Sequence, residues 1–387
     1  MNTGKYVFAQ VTSFIDPNDF LKCVKKYRGD YKVKHFSCWN QLLALMFGQL
    51  SNRESLSDLI TCLNTQRSKW YHLGLGTGIS KANLAYANAN RDWQIFAEFA
   101  YLLIAQARKI CSPDSFELAI DGHVYAIDSS TVDLCLSVFW WAKFRKNKGA
   151  IKLHTQFDIQ TSIPSFVHVT DGSVHDVNFI DLVEIEAGSF YILDRGYLDF
   201  KRLYKIHSQG GYFVTRLKKN SNYRRLYSAK TDRATGIICD QTILLNNHYA
   251  AKDYPEKLRR IRYWDSETNK TFNFVTNNFE LSALEIARLY KYRWQIELFF
   301  KWIKQHLKVK SFWGYSENAV KIQIYTAIIT YVTVAIMKEQ LKLKHSNYEI
   351  LQILSLTLLN KTQVNQLFQD PSLQDVKELY RNQLTLM

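Results

Sequence analysis

The stretch HVYAIDSSTVDL, residues 123–134, decides the fold class predicted for this chain. It is rich in β-branched and aromatic residues, and Asp128 directly follows its apolar segment YAI. A second run, SFYILDRGY at residues 189–197, repeats the arrangement with Asp194. Such runs favour β-strands, and acids at strand ends reach the cleft of an open α/β sheet. Both aspartates are therefore candidates for one site.

Further strand patterns surround these two runs. FELAIDG, IKLHTQFDIQ and IPSFVHVTDG are short runs bounded by turn residues. Between Gly210 and Thr276 the runs GGYFVTRLKK, GIICDQTILL, RRIRYW and KTFNFVT are interrupted by polar and basic residues, which indicates a β-rich insertion. Four other acids in β-rich contexts compete with the two strand-end aspartates for the site, namely Asp121, Asp158, Asp171 and Asp176.

Helical patterns precede and follow the strands. We predict a helical, DNA-binding N-terminal domain at 1–115, an α/β core at 116–340 with its insertion at about 205–280, and a helical tail at 341–387. The tail is interpreted as a surface for packing or for dimerisation. Ser51 to Glu54 has the pattern of a capping box. A helix-turn-helix at GQLSN would place Arg53 or the Ser80–Asn83 segment near DNA, and an ordinary helical hairpin explains the pattern equally well.

Composition points to a polyanionic partner. Lys and Arg number 50 against 35 Asp and Glu, a formal charge of +15, so nucleic acid is the first inference and a merely basic protein the alternative. Six scattered cysteines without a CxxC pair fit reduced cytosolic thiols rather than a zinc ribbon. No signal peptide is recognisable, and the apolar segment Ile322 to Met337 is short for a membrane span. We expect a cytoplasmic protein without a membrane partner.

Glu297 is a single carboxylate among basic residues in YRWQIELFFKWIK, residues 292–304. A second capping box at Ser282 predicts one helix from Ala283 through Leu307. At about 100° per residue, the side chains of Tyr290, Arg293, Glu297 and Lys304 fall on one stripe. A solvated ion pair of Glu297 with Arg293 or Lys301 is the simpler explanation. Together with strand-end aspartates, however, Glu297 would complete an oxygen-ligand site for Mg²⁺, with Mn²⁺ expected to substitute.

These residues resemble a known family. Tyr290-x2-Arg293-x3-Glu297-x6-Lys304 is similar to the Y-R-E-K signature of cut-and-paste bacterial transposases, the insertion-sequence family 4 group of DDE enzymes. IDSSTVDL and LDRGY resemble the segments that carry the family's two aspartates. The resemblance covers residues 116–335 well, and the long gap before Glu297 is similar to the family's β-rich insertion.

The resemblance implies an RNase H-like core in which Asp128, Asp194 and Glu297 are catalytic and bind two Mg²⁺ ions. Water would cut double-stranded DNA at the terminal inverted repeats of the element, and the freed 3′-hydroxyl would attack target DNA. A homodimer in the DNA complex is implied as well. Tyr290, Arg293 and Lys304 resemble the residues that grip terminal phosphates.

The sequence predicts further DNA contacts. Phe272 stands where the family pattern has a Trp that holds a flipped base, and Trp264 is a second candidate; a sheet-core aromatic is the alternative reading of either. Basic positions near the cleft add Arg195, Lys218 and Lys301, together with further clusters at Lys143–Lys152, Arg216–Arg225 and Lys308–Lys310. A structure-specific nuclease and a degenerate DNA-binding regulator are the rival functions. If the metal site is correct, the three carboxylates should converge on one metal position.

Overall fold

The computed structural model describes residues 4–111, 118, 120–145, 148–306 and 312–369, and the elements below belong to these ranges. The helices are α1 Val7–Thr12, α2 Pro17–Lys26, α3 Cys38–Leu50, α4 Leu56–Thr65, α5 Lys81–Asn90, α6 Gln94–Ile110, α7 Phe200–Ser208, α8 His248–Asp253, α9 Ala283–Lys291, α10 Trp294–His306, α11 Glu317–Gln340 and α12 Asn347–Thr357. The strands are β1 Val124–Leu134, β2 Lys143–Arg145, β3 Lys148–Asp158, β4 Ile163–Asp171, β5 Phe190–Leu193, β6 Tyr212–Arg216, β7 Tyr223–Ala229, β8 Ile237–Leu245, β9 Leu258–Asp265 and β10 Lys270–Thr276. The fold is therefore mixed α/β, as predicted.

The chain forms two compact units. One unit comprises the described parts of Met1–Leu103, His306–Trp313 and Ile322–Met387, and the other comprises Ile104–Gln305 and Gly314–Lys321. The predicted division at residues 115 and 340 differs from this packing, because most of α11 clusters with the N-terminal helices. Residues 370–387 of the predicted tail lie outside the described residues.

The first unit is built around two buried helices. All but one residue of α3 is buried, and the amide of Gln49 bonds to α11 at both ends: its Nε2 donates to the Gln323 carbonyl (3.1 Å) and its Oε1 accepts from the Thr330 hydroxyl (2.9 Å). Within the described residues, α11 is the one helix long and apolar enough to cross a membrane by length and composition. Because 94% of its apolar window is buried inside the protein, it is a core helix, as the sequence predicted.

Of the two predicted capping boxes, one is confirmed and one is wrong. Ser282 and Glu285 exchange both hydrogen bonds at the start of α9. The Ser51 hydroxyl instead donates back to the Phe47 carbonyl (2.6 Å), so Ser51 ends α3. Ser55 caps α4 by accepting the Asp58 N–H at 3.1 Å. A serine that can bond backward to the preceding turn is not available to start the next helix.

The second unit contains a ten-stranded sheet. Its order is β2-β3-β1-β5-β6-β10-β9-β8-β7, and β4 pairs with β3. Strands β1, β5 and β6 run parallel, β3 is antiparallel to both β1 and β4, and β7 to β10 continue from β6 as an antiparallel extension. The predicted β-rich insertion therefore widens the sheet at one edge. FELAIDG lies mostly outside the described residues, and its last residues, Asp121 and Gly122, form a bend rather than a strand.

The two faces of the central strands have different neighbours. Tyr125 and Ile127 of β1 join Tyr191, Leu193 and Phe213 in a buried core that includes residues of α7. Side chains alternate along a strand, so Asp128 points to the other face. On that face Phe157 of β3, which pairs with Ala126, contacts Phe299 of α10 with ring centroids 5.1 Å apart. The alternation thus directs Asp128 toward α10.

The prediction of one helix from Ala283 to Leu307 is wrong. The helix ends at Lys291 and a new one starts at Trp294. At the break the backbone forms short-range bonds, with the N–H of Arg293 donating to the Tyr290 carbonyl (3.1 Å) and that of Ile296 to the Arg293 carbonyl (3.2 Å). These tighter i→i−3 bonds change the helical phase at Arg293 itself. Leu307 lies outside the described residues.

Candidate active site

Asp128 and Asp194 occupy equivalent positions on neighbouring parallel strands. Ile127 of β1 pairs with Leu193 of β5, so each aspartate is the next residue along its strand. The prediction that Asp128 ends its strand is wrong, because β1 continues to Leu134. The ladder with β5, however, ends at Ile127. The aspartates therefore stand side by side where the parallel ladder ends.

Asp194 is held by groups from three elements. Its carboxylate caps a short 3-10 turn by accepting the Gly196 N–H (3.4 Å). Nη2 of Arg216, the last residue of β6, donates to Oδ1 at 2.6 Å, and the Tyr290 hydroxyl of α9 lies 3.5 Å from the same oxygen. Arg216 is two residues past Val214, which pairs with Ile192. Asp128, Asp194 and Arg216 thus form one row across three parallel strands.

Arg293 connects the other two carboxylates. Its Nη1 donates to Oδ2 of Asp128 (3.1 Å), and its Nη2 donates to Oε1 of Glu297 (2.6 Å). The Arg293 side chain is only 15% exposed. The simpler sequence explanation, an ion pair of Glu297 with Arg293, is thus present, but it is not a solvated pair. It forms part of a half-buried network that also includes Asp128.

The surroundings shift the pKa values of Asp128 and Asp194 in opposite directions. Burial raises the pKa of Asp128 to about 6, and the charges of Asp194 and Glu297 add to this rise against the opposing effects of the Ser129 N–H and Arg293. Burial acts in the same way on Asp194, but hydrogen bonds from Arg216 and the Arg195 backbone, with the charges of Arg216 and Arg293, hold its pKa below the ordinary value. The charges of Asp194 and Glu297 thus both act on Asp128.

The remaining basic residues predicted to contact phosphate or DNA differ in solvent exposure. Nζ of Lys304 donates to the Thr131 carbonyl of β1 at 2.7 Å, so Lys304 is attached to the strand that carries Asp128. The side chains of Arg195, Lys218 and Lys301 are exposed. Lys152, counted in a predicted basic cluster, is buried and pairs with Asp176 (3.1 Å). The side chains of Lys143–Lys148, and residues Lys308 and Lys310, lie outside what the structure describes.

Two predicted base-holding aromatics lie on β9 and β10. Trp264 is exposed, and its Nε1 is 3.4 Å from the Asn269 side-chain oxygen. Phe272 is half-buried and stacks on Phe274 with centroids 5.8 Å apart, and Phe274 contacts the ring of Tyr290 at 4.8 Å. A continuous aromatic series therefore leads from Phe272 to the candidate site.

The competing aspartates have local structural partners. Asp158 is buried and accepts the backbone N–H of Gln160 (3.0 Å), and Asp171 accepts that of Ser173 (2.8 Å). Asp176 pairs with Lys152, and Asp121 lies in an exposed bend. These contacts stabilise turns and strand ends. The network around Asp128, Asp194 and Glu297 instead joins elements far apart in sequence.

Among the residues that the structure describes, no three His, Cys, Asp or Glu side chains are close enough together to hold a metal ion. The expected convergence of the three carboxylates on one metal position is therefore not met in this arrangement. The physical reason lies in the contacts above, since Arg293 and Arg216 occupy carboxylate oxygens that a cation would use. Sequence reasoning grouped Arg216 only with a basic cluster, although its position at the end of a strand after two strand-end acids was a usable signal.

Comparison with known proteins identifies the class of this chain. Residues 121–333 match the family model of the transposase DDE domain, which is more than half of the chain, and residues 3–76 match a domain of unknown function (DUF4372). The chain is 35% identical to a protein of Sinorhizobium fredii named as transposase y4zB, over 65% of this chain and 70% of the relative.

Two other relatives carry insertion-sequence names. A protein of Geobacillus stearothermophilus, assigned as the transposase of element IS5377, is 30% identical over 58% of this chain and 59% of its own length. A protein of Synechocystis, assigned to element IS4SA, is 26% identical over 70% and 76%. The chain belongs to the DDE transposases and is an enzyme of DNA transposition. A DDE domain also implies a divalent metal cation.

Proposed function

We propose that this chain is the transposase of an insertion sequence of the family 4 group and moves its element by a cut-and-paste route. The observation that supports the proposal is that two hydrogen-bonded groups meet at one ring. Arg293 bonds Asp128 and Glu297, Arg216 and Tyr290 bond Asp194, and the guanidinium carbons of Arg293 and Arg216 each lie 5.8 Å from the centroid of the Tyr290 ring. Four residues with the Y-R-E-K spacing contact this region, namely Tyr290, Arg293, Glu297 and Lys304. Chance spacing would not give all four a partner near one site.

An RNase H-like core is part of this proposal. The order β4-β3-β1-β5-β6, with β3 antiparallel to its neighbours and β1, β5 and β6 parallel, supports it. In this core one acid follows the buried part of β1, the second follows β5, and the third is on a helix over the same face. We therefore propose that Asp128, Asp194 and Glu297 are the catalytic residues.

The residues present fit a divalent cation by their chemistry. Asp128, Asp194 and Glu297 supply carboxylate oxygens from three separate elements, the donor type that Mg²⁺ and Mn²⁺ take in proteins. The buried Nε of Arg293 has no hydrogen-bond partner, so its guanidinium is incompletely satisfied where it lies. When bound, Mg²⁺ would stabilise the charge that develops on the phosphoryl oxygens. For the carboxylates to bind Mg²⁺, Arg293 and Arg216 would have to give up their hydrogen bonds to them and bond to other acceptors.

DNA phosphates are the partners that such an exchange requires. A guanidinium binds phosphate in the same two-point geometry as carboxylate. On end binding, Arg293 would move its hydrogen bonds from Asp128 and Glu297 to a terminal phosphate, with Tyr290 and Lys304 as further donors. Arg195, Lys218 and Lys301 are exposed and would contact the backbone further out, and Phe272 or Trp264 would stack on a displaced base.

The chemistry is phosphodiester hydrolysis followed by transesterification. Water attacks the phosphorus at an element end, the bond to the 3′ oxygen breaks, and a 3′-hydroxyl is left. This hydroxyl then attacks the phosphorus of a phosphodiester in target DNA, so that the element 3′ oxygen becomes bonded to the target 5′ phosphate. The bond from that phosphorus to the target 3′ oxygen breaks, and the target strand is left with a 3′-hydroxyl. The substrates are the terminal inverted repeats and target DNA, the active form in the complex is a homodimer, and the reaction takes place at the nucleoid of the bacterial cytoplasm.

The test is cleavage of a duplex that contains the element end. Asp128→Asn, Asp194→Asn and Glu297→Gln should each abolish cleavage and leave duplex binding largely intact, while Asp133→Asn, an exposed acid on the same strand as Asp128, should cleave normally. Cleavage retained by any of the three would remove that residue from the site. Supplying a pre-cut 3′-hydroxyl end separates a transposase from a nuclease, because only the transposase joins that end to target DNA.

A further inference from the structure

An open cavity of about 600 Å³ lies in the first unit, and its lining includes Asn83 from the Ser80–Asn83 segment that the sequence placed near DNA. One wall is the loop Tyr27–Phe36 and the other is one stripe of α5, formed by Asn83, Tyr86, Ala87 and Asn90. At about 100° per residue these four positions fall on one face of the helix. The loop falls within the matched domain of unknown function, and α5 follows it.

The loop wall is basic and exposed. Its lining residues include three cations, Arg28, Lys32 and Lys34. All five residues of Tyr31–His35 are exposed. The acids around the cavity already serve the backbone, since Asp30 accepts the Cys38 N–H (2.7 Å) and Asp92 the Gln94 N–H (2.9 Å). These two acids keep their charge, but the lining of the cavity contains four Lys or Arg against them, so its net charge is positive and favours a polyanion.

An exposed aromatic lies between two of these cations. The guanidinium carbon of Arg28 is 4.5 Å from the centroid of the Tyr31 ring, and Nζ of Lys32 is 5.3 Å from it, while Tyr31 is 60% exposed. Arg28 and Lys32 both have positive φ, 54° and 58°. This conformation is uncommon outside glycine and concentrates at functional sites.

The helix wall presents amides. Asn83, Tyr86 and Asn90 are exposed on α5, and Tyr86 is 71% exposed. Asparagine on an exposed helix face can pair with an adenine edge in the major groove, which has the width of one helix. Arg53, the other sequence candidate for DNA reading, donates to its own loop at Ser51 (2.9 Å) and to Asp58 (3.3 Å). Its hydrogen-bonding groups are thus largely committed within the protein.

We infer that this cavity is a docking site for double-stranded DNA, in which the Asn83–Tyr86–Asn90 stripe of α5 faces base edges and the loop Tyr31–His35 faces phosphates. The inference rests on the proposed function for its ligand, and it assigns a role to a region that includes the domain of unknown function. A basic wall next to an amide-bearing helix face separates the two tasks, since phosphate contacts set affinity and base contacts set sequence preference.

The experiment measures binding of the full-length chain to three probes: a duplex of the element's own end, a scrambled duplex of equal length, and the single strand of the end. Lys32→Ala and Lys34→Ala, made singly, should weaken both duplexes by the same factor and reduce the salt slope by about 0.9 for each phosphate that is no longer neutralised. Asn90→Ala should weaken the end duplex about tenfold and leave the scrambled duplex unchanged. Each of the two amides also makes one bond within the chain, since Nδ2 of Asn90 donates to the Tyr86 carbonyl (2.9 Å) and Nδ2 of Asn83 to the Gly78 carbonyl (2.7 Å). The scrambled duplex separates loss of base reading from loss of these contacts, because only base reading distinguishes the two duplexes.

Matched controls come from the same unit. Lys22→Ala removes an exposed lysine of α2, and Asn64→Ala removes an exposed asparagine of α4; both should bind as the parent does. Unchanged binding of both duplexes by the loop and α5 variants would overturn the inference, as would a loss confined to the single strand. If the cavity variants bind DNA normally while Asp128→Asn abolishes cleavage, the docking site is wrong and the proposed function stands. If the parent chain binds the end duplex but never cleaves it, the proposed function is wrong and the docking site stands.

Discussion

Nη1 of Arg293, in the turn between α9 and α10, lies 3.1 Å from Oδ2 of Asp128 on β1, although the two residues are 165 positions apart in the chain. The same guanidinium also holds Glu297. One positive group therefore neutralises two of the three proposed metal ligands in the DNA-free chain. A divalent cation and the Arg293 guanidinium cannot use the same carboxylate oxygens together, so the two compete.

Removing this competitor should strengthen metal binding. We expect Arg293→Gln to raise the affinity of the DNA-free protein for Mn²⁺ by roughly tenfold, since a charged hydrogen bond to each acid is removed. Isothermal titration calorimetry at neutral pH measures this directly. Arg288→Gln removes an exposed arginine of α9 and serves as the control. An affinity equal to that of the parent would show that Arg293 does not compete.

Protons should compete at the same site. Because burial raises the pKa of Asp128 to about 6, this carboxyl takes up a proton well above the usual range. Mn²⁺ affinity of the DNA-free chain should be constant above this pH and fall by up to about tenfold per pH unit below it. Asp133→Asn should show the same profile as the parent. A profile that stays flat down to about pH 4.5 would contradict the assignment of Asp128 as a ligand.

Acid should also destabilise the fold through His154. This side chain is buried, stacks on Phe179 with centroids 5.4 Å apart, and its pKa is lowered by burial to about 4. The unfolded chain binds a proton at this residue below about pH 6.5, whereas the folded chain does not until about pH 4. The contribution of His154 to stability is therefore complete above about pH 6.5 and is lost as pH falls, by at most about 1.4 kcal/mol per pH unit.

Urea unfolding at several pH values tests this prediction. His154→Gln should flatten the decline of the unfolding free energy between pH 6.5 and about 4, while His248→Gln, at an exposed position, should keep the parental slope. An identical slope in the parent and His154→Gln would place the acid sensitivity elsewhere.

Alanine substitution should cost different amounts of stability at Gly122, before β1, and at Gly188, before β5. Gly122 has φ 98°, and a Cβ there would lie 2.6 Å from the Gly188 carbonyl oxygen; Gly188 has φ 79° with open space around it. Gly188→Ala should cost about 1–2 kcal/mol of unfolding free energy from backbone strain alone. Gly122→Ala should cost about 1–3 kcal/mol more, because the steric conflict involves backbone. Equal losses in urea unfolding would contradict the close approach.

The acids were predictable because their signal is local. An apolar run ending in a carboxylate, as in YAID and YILD, marks both a strand and the side chain that leaves its buried part, so Asp128 and Asp194 could be picked from sequence. The break at Tyr292 was not visible, because every residue between Ala283 and Lys304 is compatible with a helix and neither proline nor glycine interrupts it. The tertiary contact of Arg293 with Asp128 accompanies a change of helical phase that periodicity alone does not contain.

Partnerships across the sheet were equally invisible. The pairing of Arg216 with Asp194 depends on β6 lying beside β5 in parallel register, which is a property of topology. Likewise, the attachment of Lys304 to the Thr131 carbonyl requires β1 to continue beyond Asp128. Sequence supplied the residue types of the site, and the neighbours of each followed only from the assembled strands.

The first unit is discontinuous in the chain, and this affects its synthesis. Gln49 of α3 takes both of its amide partners from α11, which the ribosome makes nearly 300 residues later. Residues 104–305 of the sheet unit are complete before those partners exist. A nascent chain, or any product truncated before Ile322, therefore exposes the apolar surface of α3. We expect such fragments to be chaperone substrates, and a full-length chain to gain its N-terminal unit only at the end of translation.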